Sequence, residues 1–138
     1  MDDYEKYEAA CKQIRKANES LLTEFQASLQ SAGLSQKTIN KHVDNVRFYI
    51  NEFLLYENAI EAKEGVYSVS MFLGYWFIRK ALWASPVSIK SNASSIKKFY
   101  SLLVEKELVD QADFEMLGET IKEGMPEWLE AVRRFDSV

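Results

Sequence analysis

The sequence predicts an all-α protein, a compact bundle of five to six helices. Three observations predict it. Apolar residues recur at three- and four-residue steps along nearly the whole chain. Only 5 glycines and 2 prolines supply turns, too few for a sheet protein with many reversals. A hydrophobic share of 47% against 28% charged residues is enough for a buried core and unlike a disordered chain. At 138 residues the chain has the length of one domain, so residues 1–138 read as a single helical domain.

The elements follow in order. Tyr4, Tyr7, Cys11 and Ile14 begin the helical rhythm, and Leu22, Phe25, Leu29 and Ala32 continue it. Asn18 and Ser20 interrupt it, so this is one long helix or two that meet near Asn18. Gly33 ends it, because glycine enters a left-handed cap without a Cβ penalty. Ser35 then caps a second helix whose apolar stripe is Ile39, Val43, Val46, Ile50 and Phe53. Lys37, Lys41 and Asp44 fall opposite that stripe.

Residues 58–68 show no periodicity and read as a connection. Ser68 or Ser70 caps a third helix from Met71 to about Leu82, aromatic on several sides and so expected at the centre of the core. Pro86 marks a break, since proline disfavours helix in the residue before it. Ser88 is expected to cap a fourth helix carrying Ile89, Ala93, Ile96, Tyr100 and Leu103, with Ser91, Ser94, Ser95 and Lys98 opposite and Lys90 and Lys97 flanking. Asp110 or Asp113 opens a fifth helix that stops at Gly124. Pro126 suits the first turn of a last short one bearing Trp128, Val132 and Phe135.

Composition also narrows function. The single Cys excludes an internal disulfide, and one Cys with one His cannot assemble a Cys/His zinc site. No cofactor is expected. No phosphate loop, HExxH, GxSxG or CxxC occurs, and acid pairs such as Glu127 with Glu130 have no nucleophile or oxyanion donor beside them in sequence, so enzymatic activity is not expected. The charged N-terminus lacks a secretory signal, and no apolar run reaches the roughly 20 residues of a membrane span. The expectation is a soluble, cytoplasmic protein without a membrane partner.

The formal net charge is −4, but it is unevenly distributed. Segment 35–50 holds three bases against one acid, and 86–107 four bases against two, whereas 108–138 holds eight acids against three bases. The two basic segments are the second and fourth helices, each rich in Ser, Thr, Asn and Lys toward its start. Helix N-termini carry unpaired N–H groups and partial positive charge, and lysines add long-range attraction for phosphate. Two such starts side by side would suit a nucleic-acid backbone. The plainer reading of the same residues is caps and solvated faces.

The order of features resembles a known family. Leu22, Phe25 and Leu29 precede Gly33-Leu34-Ser35-Gln36-Lys37-Thr38-Ile39-Asn40-Lys41-His42, and Val46, Phe48, Tyr49, Ile50 and Phe53 follow. Later come Ser88, Ser94, Ser95, Ile96, Lys97, Lys98, Phe99, Tyr100, Leu102 and Leu103, then Leu108-Val109. On these motifs residues 21–109 resemble the N-terminal core-binding domain of tyrosine recombinases, the phage-integrase family with a SAM-like helical fold. The resemblance implies a domain that wraps one side of duplex DNA. It implies DNA contacts from Ser35, Lys37, Thr38, Lys41 and His42 on the second helix, and from Lys90, Ser91, Asn92, Ser95, Lys97 and Lys98 on the fourth.

The family's catalytic arginines, His-x-x-Arg segment and nucleophilic tyrosine have no counterpart here. Acidic helices at 110–138 stand in their place, so cleavage would have to be supplied elsewhere. The alternative is a helical protein-interaction or oligomerisation domain that binds a second copy or a recombinase partner and no DNA.

Overall fold

A computed structural model describes residues 1–136, and among them every regular element is helical. Contacts divide the chain into two compact units, Met1–Gly65 and the part from Val66 onward.

The first unit is built on α1 (Asp3–Ser31), a single uninterrupted helix. Asp2 caps it by accepting the Glu5 N–H at 2.8 Å. At its other end Gly33 sits at φ +82°, and the chain closes with Gly33 N–H to Gln30 O and Leu34 N–H to Leu29 O. That pair of bonds is a Schellman ending, which needs a left-handed residue where Gly33 stands. Of the two readings near Asn18, the structure takes one helix. Asn18 is buried, and its Nδ2 donates to Ile50 O at 3.3 Å and Asn51 Oδ1 at 2.8 Å. A polar residue on the apolar side is therefore a cross-link and not a break.

Ser35 caps α2 (Gln36–Arg47) as expected, its Oγ accepting the Thr38 N–H at 3.3 Å. The helix then widens into a π-helical segment, Phe48–Phe53, where Leu54 N–H reaches Tyr49 O, five residues back. The extra residue in that turn shifts the register. Phe53, expected on the apolar stripe, is only half-buried, while Leu54 and Leu55 are buried. Ile39, Val43, Val46, Tyr49 and Ile50 complete this side of the core; α1, packed against α2, contributes Cys11, Leu22, Phe25 and Leu29. Tyr7 donates its hydroxyl to Leu55 O, and Tyr49 OH donates to Gly65 O at 2.6 Å.

The stretch 58–68 is not wholly irregular. It contains a 3-10 helix, Ala62–Tyr67. The next helical run begins earlier than expected and ends earlier: α3 (Val69–Met71), a π-helical segment (Phe72–Trp76) and α4 (Phe77–Lys80). Ser68 precedes it without a side-chain cap bond, and Leu82 and Trp83 lie beyond it in solvent. Phe72, Leu73, Phe77 and Ile78 are buried as expected for a core helix, whereas Tyr75 is exposed.

α5 (Pro86–Glu105) starts one turn before the expected cap. Ser85, not Ser88, is the N-cap. Its Oγ accepts the Ser88 N–H at 3.1 Å, and Ser88 Oγ accepts the Ser85 N–H at 2.8 Å, a reciprocal capping box. Pro86 takes the first helical position, where its missing N–H costs nothing and its fixed φ suits the helix. Replacing Ser85 by alanine is expected to lower stability by about 1 kcal/mol, read from urea midpoints. A change within error would argue that the box contributes nothing.

α6 (Gln111–Asp136) is one helix, where a stop at Gly124 and a restart at Pro126 were expected. Pro126 has no N–H to offer the carbonyl one turn back, so the helix forgoes a bond there. Tertiary packing carries it through. Trp128 is buried between Gly74 and Gly124, and a Cβ built on either glycine would stand within 3 Å of its indole. Leu117 and Val132 bury on the same helix. Ile89, Ala93, Ile96, Phe99, Tyr100 and Leu103 of α5 supply the rest of this core. Burial pushes the Tyr100 phenol far above its ordinary pKa, so it stays neutral.

Candidate nucleic-acid interface

The residues proposed to face DNA divide into exposed and interior sets. On α2, Ser35, Lys37 and Lys41 are exposed and Thr38 is half-buried. The Ser35 hydroxyl is already engaged, accepting from Thr38 N and donating to Thr38 Oγ1 at 3.0 Å. On α5, Lys90, Lys97 and Lys98 are exposed and Ser91 is intermediate.

Three expected contacts are corrected. His42 is 3% exposed, Asn92 2% and Ser95 0%, so none of them lies on a surface. For His42 the cause is its place beside Val43 on the buried side of α2. For the other two it is the width of the buried face of α5. At about 100° per residue the interior arc spans roughly 160°, from Ser95 through Phe99, Asn92, Leu103, Ile96, Ile89 and Tyr100 to Ala93. The stripe read from the large apolar residues alone is narrower.

These polar side chains are tolerated inside because they bond to their own helix. Asn92 Nδ2 donates to Ser88 O at 2.8 Å, and Ser95 Oγ donates to Ser91 O at 3.0 Å. Asn92 Oδ1 has no hydrogen-bond partner among the described residues.

What remains on α5 is a coherent strip. Lys90, Ser94, Lys97, Lys98 and Ser101 are all exposed and share one side of the helix, within about 100° of arc. Ser94 and Ser101 were not singled out as contacts. Their three- and four-residue spacing from the lysines is the signal that finds them. The strip is about 16 Å long at 1.5 Å per residue. Its position also corrects the idea that phosphates meet the helix start. The first turn is Pro86, an exposed Val87 and the closed Ser85–Ser88 box, and the lysines begin one turn later.

Charge on this strip is unneutralised. Among the described residues Lys37, Lys41, Lys90, Lys97 and Lys98 form no salt bridge, unlike Arg47, which pairs with Glu19 at 3.5 Å and Asp44 at 3.3 Å. Lys97 is the lysine nearest to acids. It lines an open groove with Glu115, Glu119 and Lys122 of α6.

Other chemistries find no footing. Among the described residues no cluster of His, Cys, Asp and Glu is placed to hold a metal ion, and no helix is long and apolar enough to cross a membrane. Set against known proteins, the chain matches no family model, no curated protein and no solved structure.

Proposed function

We propose that this chain is a non-catalytic, cytoplasmic module that binds duplex DNA, as the core-binding domain of a tyrosine recombinase does, with any cleaving domain supplied elsewhere. The observation that carries this reading is the strip of unpaired lysines and short hydroxyls on α5, basic on a chain whose net charge is −4. Lys37 and Lys41 add a second basic face on α2. The resemblance of residues 21–109 to recombinase core-binding domains, through Gly33-Leu34-Ser35 and Ile96-Lys97-Lys98-Phe99-Tyr100, supports it independently.

Lysines on these faces neutralise phosphates without reading sequence, while Ser94 and Ser101 can approach a backbone closely or touch a base edge. If three to five phosphates are neutralised, log K falls against log salt with a slope of about −3 to −5. The test is a Lys41→Glu/Lys98→Glu variant titrated with random duplex DNA at several salt concentrations. Affinity is expected to fall at least tenfold and the slope to become shallower by about 2. Unchanged affinity and slope would end the proposal.

A further inference from the structure

One part of the second unit exposes apolar area out of proportion to the rest. Tyr67, Met71 and Tyr75 lie four residues apart along the run that ends at Lys80, and Met116 and Phe135 lie on α6. All five are between 47% and 65% exposed. With about 150–250 Å² per aromatic side chain, that amounts to on the order of 500 Å² of apolar surface, at the upper end of what a monomer usually shows.

These residues are contiguous. A groove of about 480 Å³ runs between the two helices, lined by Tyr67, Met71, Tyr75, Glu127 and Ala131 and floored by Trp128 in its glycine notch. A second groove of about 280 Å³ continues it past Tyr67 to Asp113 and Met116.

Charge is placed at opposite ends of this trough. At one end Tyr67 OH donates to Asp113 Oδ2 at 2.8 Å. At the other the Arg79 guanidinium lies 3.9 Å over the Tyr75 ring and 5.8 Å from the centre of Phe135. A surface with an apolar middle, an acid at one end and a base at the other is complementary to itself under a two-fold axis through its centre. The rotation sets Arg79 of one copy against Asp113 of the other, twice, and stacks the Tyr and Met side chains between them. Aromatic, Met and Arg side chains are also the types enriched at protein interfaces. With its polar rim the patch approaches the roughly 800 Å² per partner of a standard interface.

We infer that this trough is a homodimer interface, a second copy of the chain being its occupant, paired antiparallel through Arg79 and Asp113. The inference uses none of the lysines of the proposed DNA face and stands without that reading.

The test is sedimentation equilibrium of the full chain, without nucleic acid, from low micromolar to several hundred micromolar. A reversible monomer–dimer equilibrium is expected. Met71→Ser/Tyr75→Ser, which alters only exposed side chains, should weaken it at least tenfold while leaving the thermal melt in place. Arg79→Glu and Asp113→Arg should each weaken it, and the two combined should restore it. A monomer at every concentration, a dimer indifferent to Met71→Ser/Tyr75→Ser, or a combined charge swap that fails to restore pairing would each overturn the inference.

Discussion

Gly124→Ala is expected to destabilise the protein by about 1–3 kcal/mol, although glycine to alanine inside a helix ordinarily stabilises by up to about 1 kcal/mol. The sign reverses because the added Cβ would stand 2.4 Å from Trp128 Cζ2 and 2.5 Å from Cε2. Real Cβ atoms do not approach so closely, and the indole has no room to retreat, since a Cβ on Gly74 would lie 2.8 Å from its Nε1 on another side. Removing the ring instead, as Trp128→Ala, is expected to cost about 3–5 kcal/mol through lost burial and the cavity left behind. The discriminating measurement is the pair in combination. In a Trp128→Leu background Gly124→Ala should become neutral or stabilising. All three tryptophans, Trp76, Trp83 and Trp128, lie in the part from Val66 onward, so fluorescence-monitored urea unfolding of the Gly124 variant reports on that unit. A Gly124→Ala protein as stable as the parent would show that the notch does not hold the ring.

The second large effect is expected at Asn18. Asn18→Leu keeps the volume and the apolar contacts but deletes the donor that serves Ile50 O and Asn51 Oδ1. A buried carbonyl left without its partner costs about 1–3 kcal/mol, more than the roughly 1 kcal/mol of an ordinary exchanged hydrogen bond. The loss should appear in the far-UV circular dichroism transition. It should shrink when Asn51 is already alanine, because one of the two bonds is then absent at the start. A leucine variant at least as stable as the parent would mean that the π-helical turn keeps its shape without Asn18.

Much of this architecture was legible in the residues. Gly33 and Ser35 marked their turn through chemistry that acts within four residues, a left-handed cap and a hydroxyl acceptor, and local chemistry is what a sequence displays. The class of each helix followed from spacing for the same reason. What was not legible depends on partners distant in the chain. Pro126 and Gly124 look like a helix break, and only the seating of Trp128 against Gly74 explains why the helix runs on. Asn18 looked like an interruption because its acceptors lie more than thirty residues away.

The candidate interface shows the same division. The basic character of α5 was plain from composition, but choosing Asn92 and Ser95 as contacts treated polar residues as surface residues. Both satisfy a donor by bonding back to their own helix, a possibility that residue type alone does not exclude. His42 failed similarly, because the arc that α2 buries is wider than its aliphatic residues mark out.

The wide turn at Phe48–Phe53 has a consequence for how this chain tolerates change in length. It accommodates one residue more than an α-helical path would, and the burial of Leu54 and Leu55 depends on that surplus. Dropping any one residue there would let the backbone close into a regular spiral, yet swing all that follows by about 100° about the axis. Both leucines would leave their sockets together. Substitutions in this stretch act on one side chain at a time, whereas a single-codon deletion would re-aim the whole exit from the helix.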